Sequence, residues 1–174
     1  MKILAVVSAV FLSLGTAHAN WVERSFVDDL TDVETRGSYS NSSGAHIGVE
    51  CISKDLAGGK IRLQFDTGEI FATKSEEVSF KLRVDKNELF DLSAKMFSNS
   101  GRSGFSYLNK LDPEKQKDLL AQLISGSSYI IRYSRYGETL TRRGKLRGSK
   151  PRILKTLNGC KYKHFEAVTE QLGM

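Results

Sequence analysis

The chain has 174 residues, with 26 Lys or Arg against 20 Asp or Glu and a formal net charge of +6. That length fits a single domain able to bury a core without metals or many staples. Two cysteines in all exclude a disulfide-dense scaffold, and with no paired histidines beside them they exclude a zinc site.

Residues Met1 to Ala19 combine Lys2, an apolar run from Ile3 to Leu14 and the small-x-small triplet Ala17-His18-Ala19. This is the pattern of a secretory signal peptide cleaved near Ala19. A membrane-spanning helix needs roughly 20 apolar residues, and the run is about a dozen long. The expected product is a periplasmic or secreted domain spanning residues 20–160, followed by an extension at 161–174 that should fray. In an oxidising compartment Cys51 and Cys160 are expected to bond, the alternative being two buried free thiols.

Trp21 to Phe26 reads as a first strand, and Asp28-Asp29-Leu30-Thr31-Asp32 as an acidic turn. Its carboxylates suit either a hard cation or plain solvation, and the spacing lacks the Gly and distal Glu of a calcium loop. Val33, Thr35, Gly37 and Tyr39 alternate as an edge strand would, and Ser40 to Gly44 reads as a loop. Asn41-Ser42-Ser43 within it also matches a glycosylation acceptor. Ala45, Ile47, Val49 and Cys51 then share one strand face, which turns Cys51 inward and leaves His46, Gly48 and Glu50 on the wet face. Ile61, Leu63 and Phe65 alternate next, and Asp66-Thr67-Gly68 is read as a hairpin turn leading to a return strand at Glu69 to Thr73. Val78, Phe80, Leu82 and Val84 give the cleanest period-two signal. Asn87 to Phe97 fits either strand or helix, and Ser98 to Gly104 reads as a flexible loop without the ending of a nucleotide-binding loop.

Asp112-Pro113 opens the best helix, with Asp as N-cap and Pro at the first helical position. Leu119, Leu120, Leu123 and Ile124 form its apolar stripe and Gly126 ends it. Tyr129, Ile131 and Tyr133 predict a strand, turned by Tyr136-Gly137-Glu138 into a partner over Thr139 to Lys145. Pro151 starts a short helix that presents Ile153, Leu157 and Cys160 on one face. The resulting fold class is α+β, mostly antiparallel and sandwich-like sheet with one main helix and a short C-terminal helix.

Catalytic motifs are missing: there is no nucleophile elbow and no Walker loop, and neither His46 nor His164 has an acid and a nucleophile in a recognisable motif. The chain reads as a non-enzyme with no cofactor and no metal, the enzymatic rival being a hydrolase built from Asp28, Asp29 and His46. Functional content concentrates between Arg132 and Lys163, where eleven cations face one acid, Glu138. Arg132, Arg135, Arg142, Arg143, Lys145, Arg147, Lys150 and Arg152 are the candidate residues for an anionic partner. Export removes nucleic acid as a natural partner and leaves an anionic lipid surface or an acidic envelope protein. The bland alternative is a solvated face. A second functional rival is an inhibitor or exclusion factor acting on an envelope protein.

One resemblance adds to this. Trp21, the strand Gly48-Val49-Glu50-Cys51, the strand Val78 to Asp85, the strand Tyr129-Ile130-Ile131-Arg132 and the closing Leu154 to Cys160 follow one another in an order that resembles periplasmic accessory proteins of type VI secretion, and more distantly the invasion-associated locus B family. The resemblance implies a β-rich, non-enzymatic module with one disulfide and no catalytic residues to carry over.

Overall fold

Alternating apolar residues fold here as paired strands, because each strand can bury one face only against a second layer. The structure is a computed structural model described over residues 21–41, 46–52, 60–68, 76–96, 103–135 and 137–174. Strands β1 (Trp21–Asp28), β2 (Val33–Ser40), β3 (His46–Ile52), β4 (Arg62–Asp66), β5 (Glu77–Val84), β6 (Leu89–Met96), β7 (Ser103–Tyr107), β8 (Ser128–Arg135) and β9 (Glu138–Lys145) form one antiparallel sheet. Its spatial order is β1-β2-β3-β4-β7-β6-β5-β8-β9. Among the described residues three α-helices accompany it: α1 (Pro113–Ser125), α2 (Ser149–Gly159) and α3 (Phe165–Gln171).

Among the described residues two pairs, Lys95 with Phe105 and Met96 with Gly104, join β6 to β7. That short ladder divides the sheet into two leaves, which fold onto each other. The rings of Phe65 on β4 and Phe80 on β5 lie 4.6 Å apart. The Ser40 hydroxyl on β2 is 3.0 Å from the Tyr129 hydroxyl on β8. The Trp21 indole N–H on β1 donates to the Lys145 carbonyl on β9 at 3.3 Å, so the two edges of the sheet meet at a seam. Ile47, Val49, Leu63, Phe65, Leu82, Val84 and Ile131 fill the interior between the leaves together with the apolar stripe of α1.

The disulfide is present: Cys51 of β3 bonds Cys160 at the end of α2, with Cα atoms 6.1 Å apart. It pins α2 beneath β1, β2 and β3, and Ile153, Leu157 and Cys160 are all fully buried as their helical spacing demands. Asp112 caps α1 by accepting the Lys115 N–H at 3.0 Å.

Several expectations are corrected. The helix α2 begins at Ser149, before Pro151, which therefore sits inside its first turn where its missing N–H is harmless. The edge strand is β1 rather than β2, because β2 is flanked by β1 and β3. Asn87 to Phe97 resolves as strand over Leu89–Met96, with Phe90, Leu92, Ala94 and Met96 buried. Ser103 and Gly104 belong not to a loop but to β7, which pairs along the whole of β4. With β3 on its other side, β4 is fully paired, and Asp66-Thr67-Gly68 serves as a side-chain-stabilised turn. The Asp66 carboxylate accepts the Gly68 N–H at 2.7 Å, and Gly68 supplies the positive φ of 71°. The return strand placed at 69–73, the signal segment 1–19 and the 42–43 part of the glycosylation match lie outside the described residues. The tail does not fray: Val168 of α3 is fully buried, Tyr162 is buried, and Gln171 bonds Asp118 of α1 at 3.1 Å.

Candidate functional site

Residues paired across an antiparallel ladder share a face, so register decides which basic residues act together. Val78, Phe80, Leu82 and Val84 point inward, leaving Glu77, Ser79, Lys81 and Arg83 outward on β5. Lys81 pairs with Arg132 and with Asp91, Arg83 with Ile130, and Ile130 in turn with Arg143. Ser128 pairs with Lys145. The outward face of β6-β5-β8-β9 thus gathers Lys81, Arg83, Lys95, Arg132, Arg143 and Lys145 against Glu77 and Asp91. Lys81 is bound to Asp91, and Glu77 is bound to Lys110 at 3.2 Å. Among the described residues Arg83, Arg132, Arg143 and Lys145 have no carboxylate partner. A groove of about 500 Å³ opens beside Lys81 and Arg132, lined also by the buried Phe80, Leu92 and Tyr133.

The eight candidate cations do not all join this surface. Arg132, Arg143 and Lys145 do. Arg142 is the strand partner of buried Ile131 and so projects on the opposite side. Arg135 ends β8, while Arg147 and Lys150 are exposed around the start of α2. Arg152 is taken up by structure: it bonds Glu23 of β1 at 2.9 Å, and Lys155 bonds the other Glu23 oxygen at 2.6 Å. Those hydrogen bonds, Lys155 first and Arg152 second, hold the Glu23 carboxyl below its ordinary range. The patch is a strand surface reinforced by Lys81 and Arg83, two residues outside the basic stretch.

A second constellation lies on the outward face of the other leaf, where the sequence reading expected only wet positions. Glu50 on β3 is 1% exposed. Its Oε1 accepts the Arg62 Nε–H of β4 at 2.7 Å, and its Oε2 accepts the Tyr39 hydroxyl of β2 in a very short hydrogen bond. Tyr39 reaches it because Gly37 and Gly48 carry no side chain. A Cβ on Gly48 would lie 2.2 Å from Tyr39 Cδ1, and one on Gly37 2.6 Å from the hydroxyl. The ring therefore lies along β2, over its cross-strand neighbour Gly48. Burial first, and the neighbouring Glu50 carboxylate second, push the Tyr39 phenol well above its ordinary pKa, so it stays protonated and donates. Arg24 of β1 stands 5.8 Å from the ring centroid, and an open cleft of about 460 Å³ extends over this surface past Phe26, Thr35, Asn41, His46, Gln64 and Asp66. The buried Glu50 carboxylate is sustained there by hydrogen bonds to both of its oxygens. Its sequence signal was the glycine at each of two neighbouring strand positions, Gly37 and Gly48, beside a tyrosine.

The hydrolase constellation is not assembled. His46 follows the end of β2 in register, across from position 41, with its Nδ1 3.2 Å from the Ser40 carbonyl oxygen. Asp28 pairs with Val33 at the other end of that strand, eight residues away or about 26 Å at strand rise. The turn of Asp29 to Asp32 is exposed, and it displays Leu30 at 95% exposure beside Phe26 and Val27. Among the described residues no helix is long and apolar enough to cross a membrane. No protein-family model, curated protein or solved structure matches the chain.

Proposed function

We propose that the chain is an exported, non-enzymatic binding module of the cell envelope that meets an anionic partner through the outward face of β5, β8 and β9. The register that brings Arg83, Arg132, Arg143 and Lys145 together on one solvent face, without carboxylate partners among the described residues, carries this reading. Export rests on the N-terminal targeting pattern and on the Cys51–Cys160 bond, which belongs to oxidising compartments. The resemblance to periplasmic accessory proteins of type VI secretion supports the same reading. An anionic lipid surface is the first partner to test, since near such a surface each cation contributes about 1 kcal/mol.

The test is co-sedimentation with phosphatidylglycerol vesicles. Replacing Arg132, Arg143 and Lys145 by Ala should remove about 3 kcal/mol, roughly a hundredfold in affinity at low salt, and the wild-type binding itself should weaken as salt rises. Unchanged binding would reduce these charges to solvation. One observation favours a second reading, an inhibitor or exclusion factor that docks on an envelope protein. Phe26, Val27 and Leu30 form an exposed apolar tip on the β1–β2 hairpin. Recovery of a single envelope enzyme on the wild type, but not on a Leu30→Asp variant, would favour that reading.

A further inference from the structure

The cleft over Tyr39 lies on the opposite leaf from the basic face, and it runs along β2 from Thr35 to Asn41, about 20 Å at strand rise. The backbone beneath is committed: β2 is laddered to β1 and β3, and β3 to β2 and β4. An extended peptide therefore finds no free strand edge beneath Tyr39, the free edge of this leaf being that of β1 at the cleft's margin. The floor is instead the ring of Tyr39, held flat by two glycines and by its bond to Glu50. Its hydroxyl is already used and the Arg24 guanidinium stands over the ring at 5.8 Å from the centroid, so a ligand meets the ring face together with that cation. Around it stand two amides (Asn41, Gln64), one carboxylate (Asp66) and one guanidinium (Arg24). A flat aromatic floor stacks against the C–H face of a sugar ring, while amide and carboxylate side chains bond its hydroxyls. Arg24 and Asp66 sit on β1 and β4, three strand spacings or about 14 Å apart, so a negative substituent at Arg24 is remote from the Asp66 carboxylate.

We infer that this cleft binds an acidic oligosaccharide, with sugar rings on Tyr39, hydroxyls on Asn41, Gln64 and Asp66, and a sugar carboxylate facing Arg24. Titration of the intact protein with a hyaluronan tetrasaccharide, followed by amide shifts and calorimetry, tests it against neutral chitotetraose of equal length. The expected result is saturable binding of the acidic glycan, about tenfold tighter than the neutral one, the scale of one charge-assisted contact. Arg24→Ala should erase that difference, and Gln64→Ala should weaken both glycans, each variant melting as the wild type does. The combined Arg132→Glu, Arg143→Glu and Lys145→Glu variant, which disables the basic face of the proposed function, should bind both glycans unchanged. Absence of saturable binding, equal affinity for the two glycans in the wild type, indifference to both cleft variants, or loss of binding in the basic-face variant would each overturn the assignment.

Discussion

On β5 the outward side chains alternate with the core and stand in solvent, and the ion pairs there, Lys81 with Asp91 and Glu77 with Lys110, are well exposed. On β3 the outward Glu50 is sealed under a tyrosine and paired with an Arg62 side chain that is itself 12% exposed. Both strands lie inside the same antiparallel sheet, so sheet position does not explain the difference. What differs is the neighbours. Lys81 lies between Asp91 and Arg132, charged side chains that project into water, whereas Glu50 lies beside Gly37, whose missing side chain lets Tyr39 lie down across it. A strand's polar face is made wet or buried by the size of the side chains on the next strand, not by its own alternation.

The largest effect expected on this contrast comes from beneath the Glu50 leaf, where Cys51 ties β3 to α2. Closing a separation of 109 residues contributes about 4 to 5 kcal/mol in the chain-entropy model. The double replacement Cys51→Ala with Cys160→Ala should lose stability of that order in urea unfolding, and a loss below about 1 kcal/mol would mean that packing alone holds α2 against the sheet. Next comes the contrast itself. Glu50→Ala removes the buried carboxylate that accepts from both Arg62 and Tyr39 and should cost about 3 to 5 kcal/mol, whereas Asp91→Ala breaks an exposed pair and should cost less than about 1 kcal/mol. Similar values for the two would dissolve the distinction between the leaves.

The smallest effect is a pH dependence at the end of β5. The Asp85 carboxylate accepts the Ser127 N–H at 2.9 Å and both the N–H and hydroxyl of Ser128 at 2.9 Å. The Ser127 backbone bond above all, against a partial opposing effect of burial and with help from Ser128, holds its pKa below the ordinary value. A carboxyl depressed in the folded chain stabilises it fully above the unfolded pKa, about 4, and that contribution is lost as pH falls through the folded value. Stability measured from about pH 5 downward should therefore decline less steeply in Asp85→Asn than in the wild type. Identical slopes would show that the cap does not couple to protonation.

Much of this architecture was written in short-range patterns. The alternation at Val78 to Val84, the Asp112-Pro113 helix start and the 153, 157, 160 spacing each state a local rule that the packing obeys. The failures came where a partner distant in sequence decides. Nothing near Gly104 reveals that β4 will pair with it, so Ser103 and Gly104 read as loop. Val168 lies at helical spacing, but the groove on α1 that buries it is about fifty residues away in sequence. The same holds for function. The density of cations from Arg132 onward was plain, yet Lys81 and Arg83 joined them only through the β5–β8 register, and Arg152 left them for Glu23. Glu50 read as solvent-facing because alternation assigns a direction, and only the Tyr39 ring crossing two glycines turns that direction into burial.

The seam between β1 and β9 has a spectroscopic consequence. Trp21 is the sole tryptophan of the chain, is 1% exposed, and holds the seam through its indole N–H. Its emission colour and quencher access therefore gauge whether the two margins of the sheet are zipped or parted, with no label attached and no background from elsewhere in the molecule.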